Sequence, residues 1–100
     1  MQFAEVAVDF PDEHSRTFTY SIPETLPIVV GDLVWVPFGP RTVQGVVFEI
    51  TGTPETEVDK IRPITARTID GSFIAEHLIR VARWVAEYYR TTLFTACSLL

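Results

Sequence analysis

The sequence predicts an α+β fold: a small antiparallel β-barrel or curled sheet, OB-like or SH3-like, followed by one or two C-terminal helices. Three observations carry this. Apolar and polar residues alternate with period two in the first half of the chain, most clearly in FAEVAVDF and TFTYSI. Turn residues punctuate these runs at Pro23, Gly31-Asp32 and Gly39-Pro40. From about Phe73 onward, apolar residues recur at steps of three and four. Strands followed by helices, rather than alternating with them, give an α+β arrangement.

In the first run Ala4, Val6, Val8 and Phe10 share one parity and Glu5 and Asp9 the other, which predicts a half-buried strand. PDEHSR, residues 11–16, reads as a polar loop. A second strand puts Phe18, Tyr20 and Ile22 on one face and Thr17, Thr19 and Ser21 on the other. Pro23 ends it, having no N–H for the ladder. Gly31-Asp32 bends the chain into a third strand, Leu33 to Phe38, which pairs as a hairpin with Val43 to Ile50 around Gly39-Pro40-Arg41-Thr42. Val34, Val36 and Phe38 are expected on one face, as are Val46, Phe48 and Ile50. Gly45 marks either a bulge or a place where another backbone comes close.

TGTPETEVD, residues 51–59, is a solvated acidic loop, and KIRPITART, residues 60–68, adds a short edge strand limited by Pro63. The helix predicted from Phe73 to Arg90 carries the stripe Ile74, Leu78, Val81, Val85 and Tyr88, with Asp70 or Ser72 as N-cap and Arg90 as a favourable last-turn charge. A second helix starts near Thr92, with Leu93, Ala96, Cys97 and Leu100 at helical spacing. The unfinished apolar stripe ending in Leu99-Leu100 predicts a piece of a longer protein.

A chain of 100 residues with 47% apolar composition suits one domain with a real core. We place that domain at 1–100, with the β part at about 3–68 and the helical part at about 72–100. The lone Cys97 excludes an intrachain disulfide, and no Cys/His cluster has metal-ligand spacing, so a cytoplasmic setting is the default. No stretch approaches the roughly 20 apolar residues that span a bilayer, so no membrane partner is expected. The net charge of −5 argues against a general DNA coat, because that mode draws affinity from neutralising many phosphates. It leaves room for binding at one small, shape-selective point.

GDLVWVPFG lacks the Lys-Ser/Thr ending of a phosphate loop and the glycine spacing of a dinucleotide fold. Asp9, Asp12, Glu13 and His14 read as a solvated loop before they read as an acid-base or cation site. His77, beside an apolar stripe, reads as a packed residue with one hydrogen bond rather than a base, and Cys97 as inert core rather than a nucleophile. Trp84, Tyr88 and Tyr89 read as core or subdomain contacts rather than a stacking platform. The corner Pro37-Phe38-Gly39-Pro40 is stiff, because two prolines fix two φ angles and leave the Gly39 amide with a set direction. It is either a plain structural corner or one that faces a ligand.

Taken in order, RTFTYSIPE, GDLVWVPFGPRTVQGVV, DKIRPI and VARWVAEYYRTTLF resemble the N-terminal 3′ DNA-binding domain of the primosomal protein N′ (PriA) helicases, from Ala4 to about Phe94. The resemblance implies recognition of the 3′-OH end of the nascent leading strand at stalled forks or D-loops, by capture of the terminal nucleotide. It implies no catalysis and no cofactor in this stretch. ATP and zinc belong to downstream helicase domains, which would be partners in the same chain beside DNA with a free 3′ end and other primosome proteins. The implied location is bacterial, cytoplasmic and nucleoid-associated. Carried over by position, the 3′-end pocket is Phe18, Thr19, Tyr20, Gly39 and Lys60, the last opening the later strand, with Phe38 and Arg41 as further candidates. Thr19 stands where the family commonly has an aspartate that bonds the base. The alternative of another class is a protein-protein interaction barrel with an apolar docking patch of Trp35, Phe38 and Tyr20.

Overall fold

The computed structural model describes residues 1–10 and 16–100, with residues 69–72 described by their backbone only. Six strands form one sheet in the order β5-β2-β1-β4-β3-β6: β1 (Gln2–Val8), β2 (Phe18–Ile22), β3 (Asp32–Phe38), β4 (Arg41–Thr51), β5 (Arg62–Pro63) and β6 (Ala66–Ser72). Helices α1 (Ile79–Tyr89) and α2 (Leu93–Ser98) follow. This is the α+β arrangement expected, with one addition: the pairing of β5 with β2 is parallel. β5 and β6 occupy opposite ends of the strand order yet are joined by Ile64-Thr65, whose amides bond to Ser21 O and Trp35 O. That short link draws the two edges together and curls the sheet into a half-barrel.

The curl creates two cores, one on each face. Inside it lie Ala4, Val6, Val8, Tyr20, Val34, Val36, Val47 and Ile64. On the outer face Ala7, Val46 and Phe48 meet Ile79, Ala82 and Ala86 of α1 and Leu93, Ala96 and Cys97 of α2. Each fully buried valine contributes roughly 1.5–3 kcal/mol over an exposed one, so β1 and β4 anchor both layers. The expectation of a half-buried first strand is therefore corrected. Beyond Glu5 the strand is covered on both faces, because the helices fold back over Ala7.

A bulge resets the parity of β4. Glu5 pairs with Glu49 and Val6 with Val47, which leaves Phe48 as the extra residue. Val46 and Phe48 face the helices, whereas Ile50, expected beside them, joins the inner core. Gly45 is the close-approach alternative of the two left open: a Cβ there would meet Val6 Cγ1 at 2.4 Å and Ala7 O at 3.0 Å. The third strand begins at Asp32, whose buried carboxylate accepts the Val29 amide at 2.9 Å and pairs with Arg67 Nε at 3.2 Å.

The helical half differs more from expectation. Residues 60–68 do not make one edge strand: a single 3-10 turn ends at Lys60, two strands follow, and the second reaches Ser72. Asp70 and Ser72 therefore stand in β6, not at a helix N-cap, and their side chains lie outside the described residues. A 3-10 turn at Glu76–Leu78 leads into α1, with no side-chain cap at either start. The buried stripe of α1 is Ile79, Ala82 and Ala86, while Val81 and Tyr88 of the expected stripe are exposed. Small alanines sit closest to the sheet, and the bulky residues point away. Arg90, expected as a last-turn charge, is instead the left-handed cap at φ 53°. α2 starts as expected, with Thr92 Oγ1 accepting the Thr95 amide at 3.0 Å, but Leu100 is half exposed.

Candidate nucleic-acid interface

Among the described residues β5 pairs only with Tyr20 and Ser21, and the first half of β2 has no strand partner on that side. A cleft of about 720 Å³ opens there and extends to the β3-β4 turn. The two-residue turn Gly39-Pro40, tighter than the four residues expected, joins paired Phe38 and Arg41. Gly39 has φ 59° with nothing within 4 Å of an ideal Cβ, which places an accessible backbone at the rim.

Two hydrogen bonds fix that rim. The Tyr20 hydroxyl donates to Pro37 O at 2.7 Å, and Arg62 Nη1 donates to Gly39 O at 3.2 Å. Burial pushes the Tyr20 phenol from 10.0 up to about 12, with nearby Arg62 pulling the other way, so the hydroxyl remains a donor at neutral pH. Phe38 anchors the turn from beneath, with Phe10 at 5.0 Å and Phe18 edge-on at 5.1 Å between ring centroids. The Arg16 guanidinium lies 4.8 Å from the Phe18 centroid and carries positive charge to the cleft wall.

Thr19 points to the opposite face of β2 from Phe18 and Tyr20. Its hydroxyl donates to Glu5 Oε2 and lies 3.3 Å from Thr56 Oγ1, while Thr17 donates to Glu5 Oε1 at 3.0 Å. Lys60 also lines the cleft, though it closes a 3-10 turn rather than opening a strand. Its amine is 3.8 Å from Glu57 Oε2 with both side chains exposed, a pair that binding can displace at little cost.

Phe18, Thr19, Tyr20, Phe38, Gly39 and Lys60 thus meet in one cleft, although they come from three separate stretches of the chain. Arg41 is not brought to it; it is exposed at the start of β4. Sequence reasoning passed over Glu5, Arg16 and Arg62. Glu5 had a signal in its polar parity among apolar neighbours, whereas the reach of Arg62 to Gly39 depends on the curl and had none.

Other candidates fare differently. Trp35 points outward and Tyr20 is buried inward, so the apolar docking patch does not assemble. His77 is exposed rather than packed, and Trp84, Tyr88 and Tyr89 are exposed rather than core. Cys97 is buried, with its thiol pushed up to about 12 by desolvation, as an inert core cysteine should be. Asp12, Glu13 and His14 lie outside the described residues. Among the described residues no helix is long and apolar enough to cross a membrane.

Residues 5–100 match the family model of the 3′DNA-binding domain (3′BD). The chain is 39% identical to the replication restart protein PriA of Synechocystis sp., over 97% of this chain and 12% of that protein. It is 33% identical to the replication restart protein PriA of Bacillus subtilis, over 87% of this chain and 11% of the relative. With that of Rickettsia felis the identity is 30%, over 81% and 12%. The chain therefore spans only about 12% of the length of these relatives. With a match running from residue 5 to residue 100, this chain belongs to the 3′ DNA-binding domain family of the replication restart protein PriA.

Proposed function

We propose that the cleft captures the terminal nucleotide of a DNA strand with a free 3′-OH, and that the chain serves replication restart by recognising such ends at stalled forks or D-loops. The carrying observation is the accessible backbone of Gly39, held by Tyr20 and Arg62 over a cleft that also contains Phe18 and Lys60. A sugar can approach a glycine backbone where any Cβ would intrude. The Phe18 ring and the Arg16 guanidinium above it supply stacking surface, which tolerates any base. Lys60 reaches the one or two phosphates behind the terminal sugar. In this reading the helicase activity, ATP and zinc belong to other parts of a longer protein.

Titration with short single strands ending in 3′-OH or 3′-phosphate tests this. Tighter binding of the 3′-OH strand is expected, because a phosphate adds bulk and charge where a hydroxyl must fit. Equal affinities would rule the reading out. The salt dependence should be shallow, with each neutralised phosphate contributing roughly 0.7 to the slope of log K against log salt. A slope on the order of −5 would indicate an extended backbone groove instead.

A further inference from the structure

Among the described residues the cations that line the cleft are Arg16, Lys60 and Arg62, and they are not equally free to meet a phosphate. The Arg16 guanidinium lies over the Phe18 ring, and the Lys60 amine faces Glu57. Arg62 is different. Its Nη1 donates to Gly39 O at 3.2 Å, a neutral carbonyl that leaves the positive charge uncompensated. Among the described residues it has no carboxylate partner; the ion pairs found are Lys60–Glu57 and Arg67–Asp32. β5 sets it opposite Tyr20 in the strand register, with the residue exposed. A guanidinium carries N–H donors on each edge of a rigid plane, so a bond through Nη1 leaves the Nε–Nη2 edge unused and restricts the direction of that edge.

We propose that Arg62 holds the phosphate joining the last two nucleotides through its Nε–Nη2 edge, while its bond to Gly39 sets that phosphate at a fixed distance from the terminal sugar. The inference rests on the end-capture reading above. Sugar and phosphate are covalent neighbours within one nucleotide, so a cation bonded to the backbone that meets the sugar is within a ring's width of the phosphate on its 5′ side. The guanidinium edge matches two non-bridging phosphate oxygens, which a lysine amine meets only as a point charge. Glu5, Glu49 and Glu55 also line the cleft, and their charge disfavours a phosphate anywhere but beside a cation. Lys60, which closes the 3-10 turn before β5, is left to the next phosphate along the strand. A chain of net charge −5 can thus hold a polyanion through one local clamp.

The test uses short single strands with a 3′-OH in which a single linkage is a neutral methylphosphonate, either the last or one well inside the strand. They are titrated against the chain, Arg62→Gln and Lys60→Gln. The wild-type chain should bind the strand neutralised at its last linkage roughly tenfold more weakly than the unmodified strand, the lower end for a charged hydrogen bond, and should tolerate the inner substitution. Arg62→Gln should bind the unmodified strand more weakly and lose nothing further when the last linkage is neutral, whereas Lys60→Gln should keep the difference. A residue that only braced the turn would weaken all strands alike, so a folded Arg62→Gln chain that keeps the full difference overturns the assignment. Loss of the difference in Lys60→Gln alone moves the phosphate to Lys60 and overturns it as well. A wild-type chain that prefers 3′-OH over 3′-phosphate yet is indifferent to the last linkage overturns the Arg62 inference and leaves end capture standing. Absence of the 3′-OH preference itself overturns both. Should Arg62→Gln not fold, the wild-type comparison of last and inner linkages decides alone.

Discussion

Two glycines flank β3, and both have positive φ: Gly31 at 95° and Gly39 at 59°. Their surroundings are opposite. A Cβ on Gly31 would lie 2.0 Å from the Ile74 carbonyl oxygen, whereas one on Gly39 would meet nothing within 4 Å. Gly31 is buried between the sheet and the segment leading to α1, donating to Val47 O while its own carbonyl accepts from Phe73 and Ile74. Gly39 stands at the rim of an open cleft. Both turns require the same residue for the same backbone reason, and only the space beyond the backbone separates a packing glycine from one that a ligand can reach.

The largest expected effect breaks the packed side of this comparison. Gly31→Ala drives a methyl into a backbone carbonyl that cannot rotate away, on top of an unfavourable φ. A loss of about 3 kcal/mol or more is expected, read from urea or thermal unfolding. Gly39→Ala carries the left-handed cost without the collision, about 1–2 kcal/mol, and should stay folded. Equal losses at the two sites would show that φ alone, not space, distinguishes them.

Tyr20 sharpens the open side, since its hydroxyl holds the Pro37 carbonyl at the start of the turn. Tyr20→Phe should cost about 1 kcal/mol. The folded phenol, pushed up to about 12 against an ordinary 10.0, favours the protonated form. Its contribution is therefore complete below pH 10 and is lost as pH rises from 10 towards 12, where the unfolded chain ionises first. The wild-type chain should lose stability across that window, and Tyr20→Phe should lose less. The smallest effect concerns Cys97: thiol alkylation at pH 8 should be negligible in the folded chain and rapid once it is unfolded, because burial keeps the thiolate population low.

Much of this was legible in the sequence, for stated physical reasons. Period-two alternation located β1 to β4, and a strand ending in Pro37-Phe38-Gly39-Pro40 implied a stiff turn. Phe18, Thr19, Tyr20, Gly39 and Lys60 were named together through resemblance, not through spacing, since nothing in the linear order places Lys60 near Gly39. What escaped was non-local. The bulge at Phe48 that turns Ile50 to the other face depends on pairing with β1. The helix stripe was misplaced because hydrophobicity favoured Tyr88 and Val81, while close packing on the sheet selected Ala82 and Ala86. The bonds from Thr17 and Thr19 to the Glu5 carboxylate follow only once β1 and β2 are aligned.

The central claim is that the open space over Gly39 receives the terminal sugar. Gly39→Val fills that space with a branched side chain at a cost of about 1–3 kcal/mol for the strained backbone. Thermal unfolding and the ratio of 3′-OH to 3′-phosphate affinity are measured on the same sample. The account predicts a cooperatively folded variant whose preference for the 3′-OH end is lost; a folded variant that keeps the wild-type preference would contradict it.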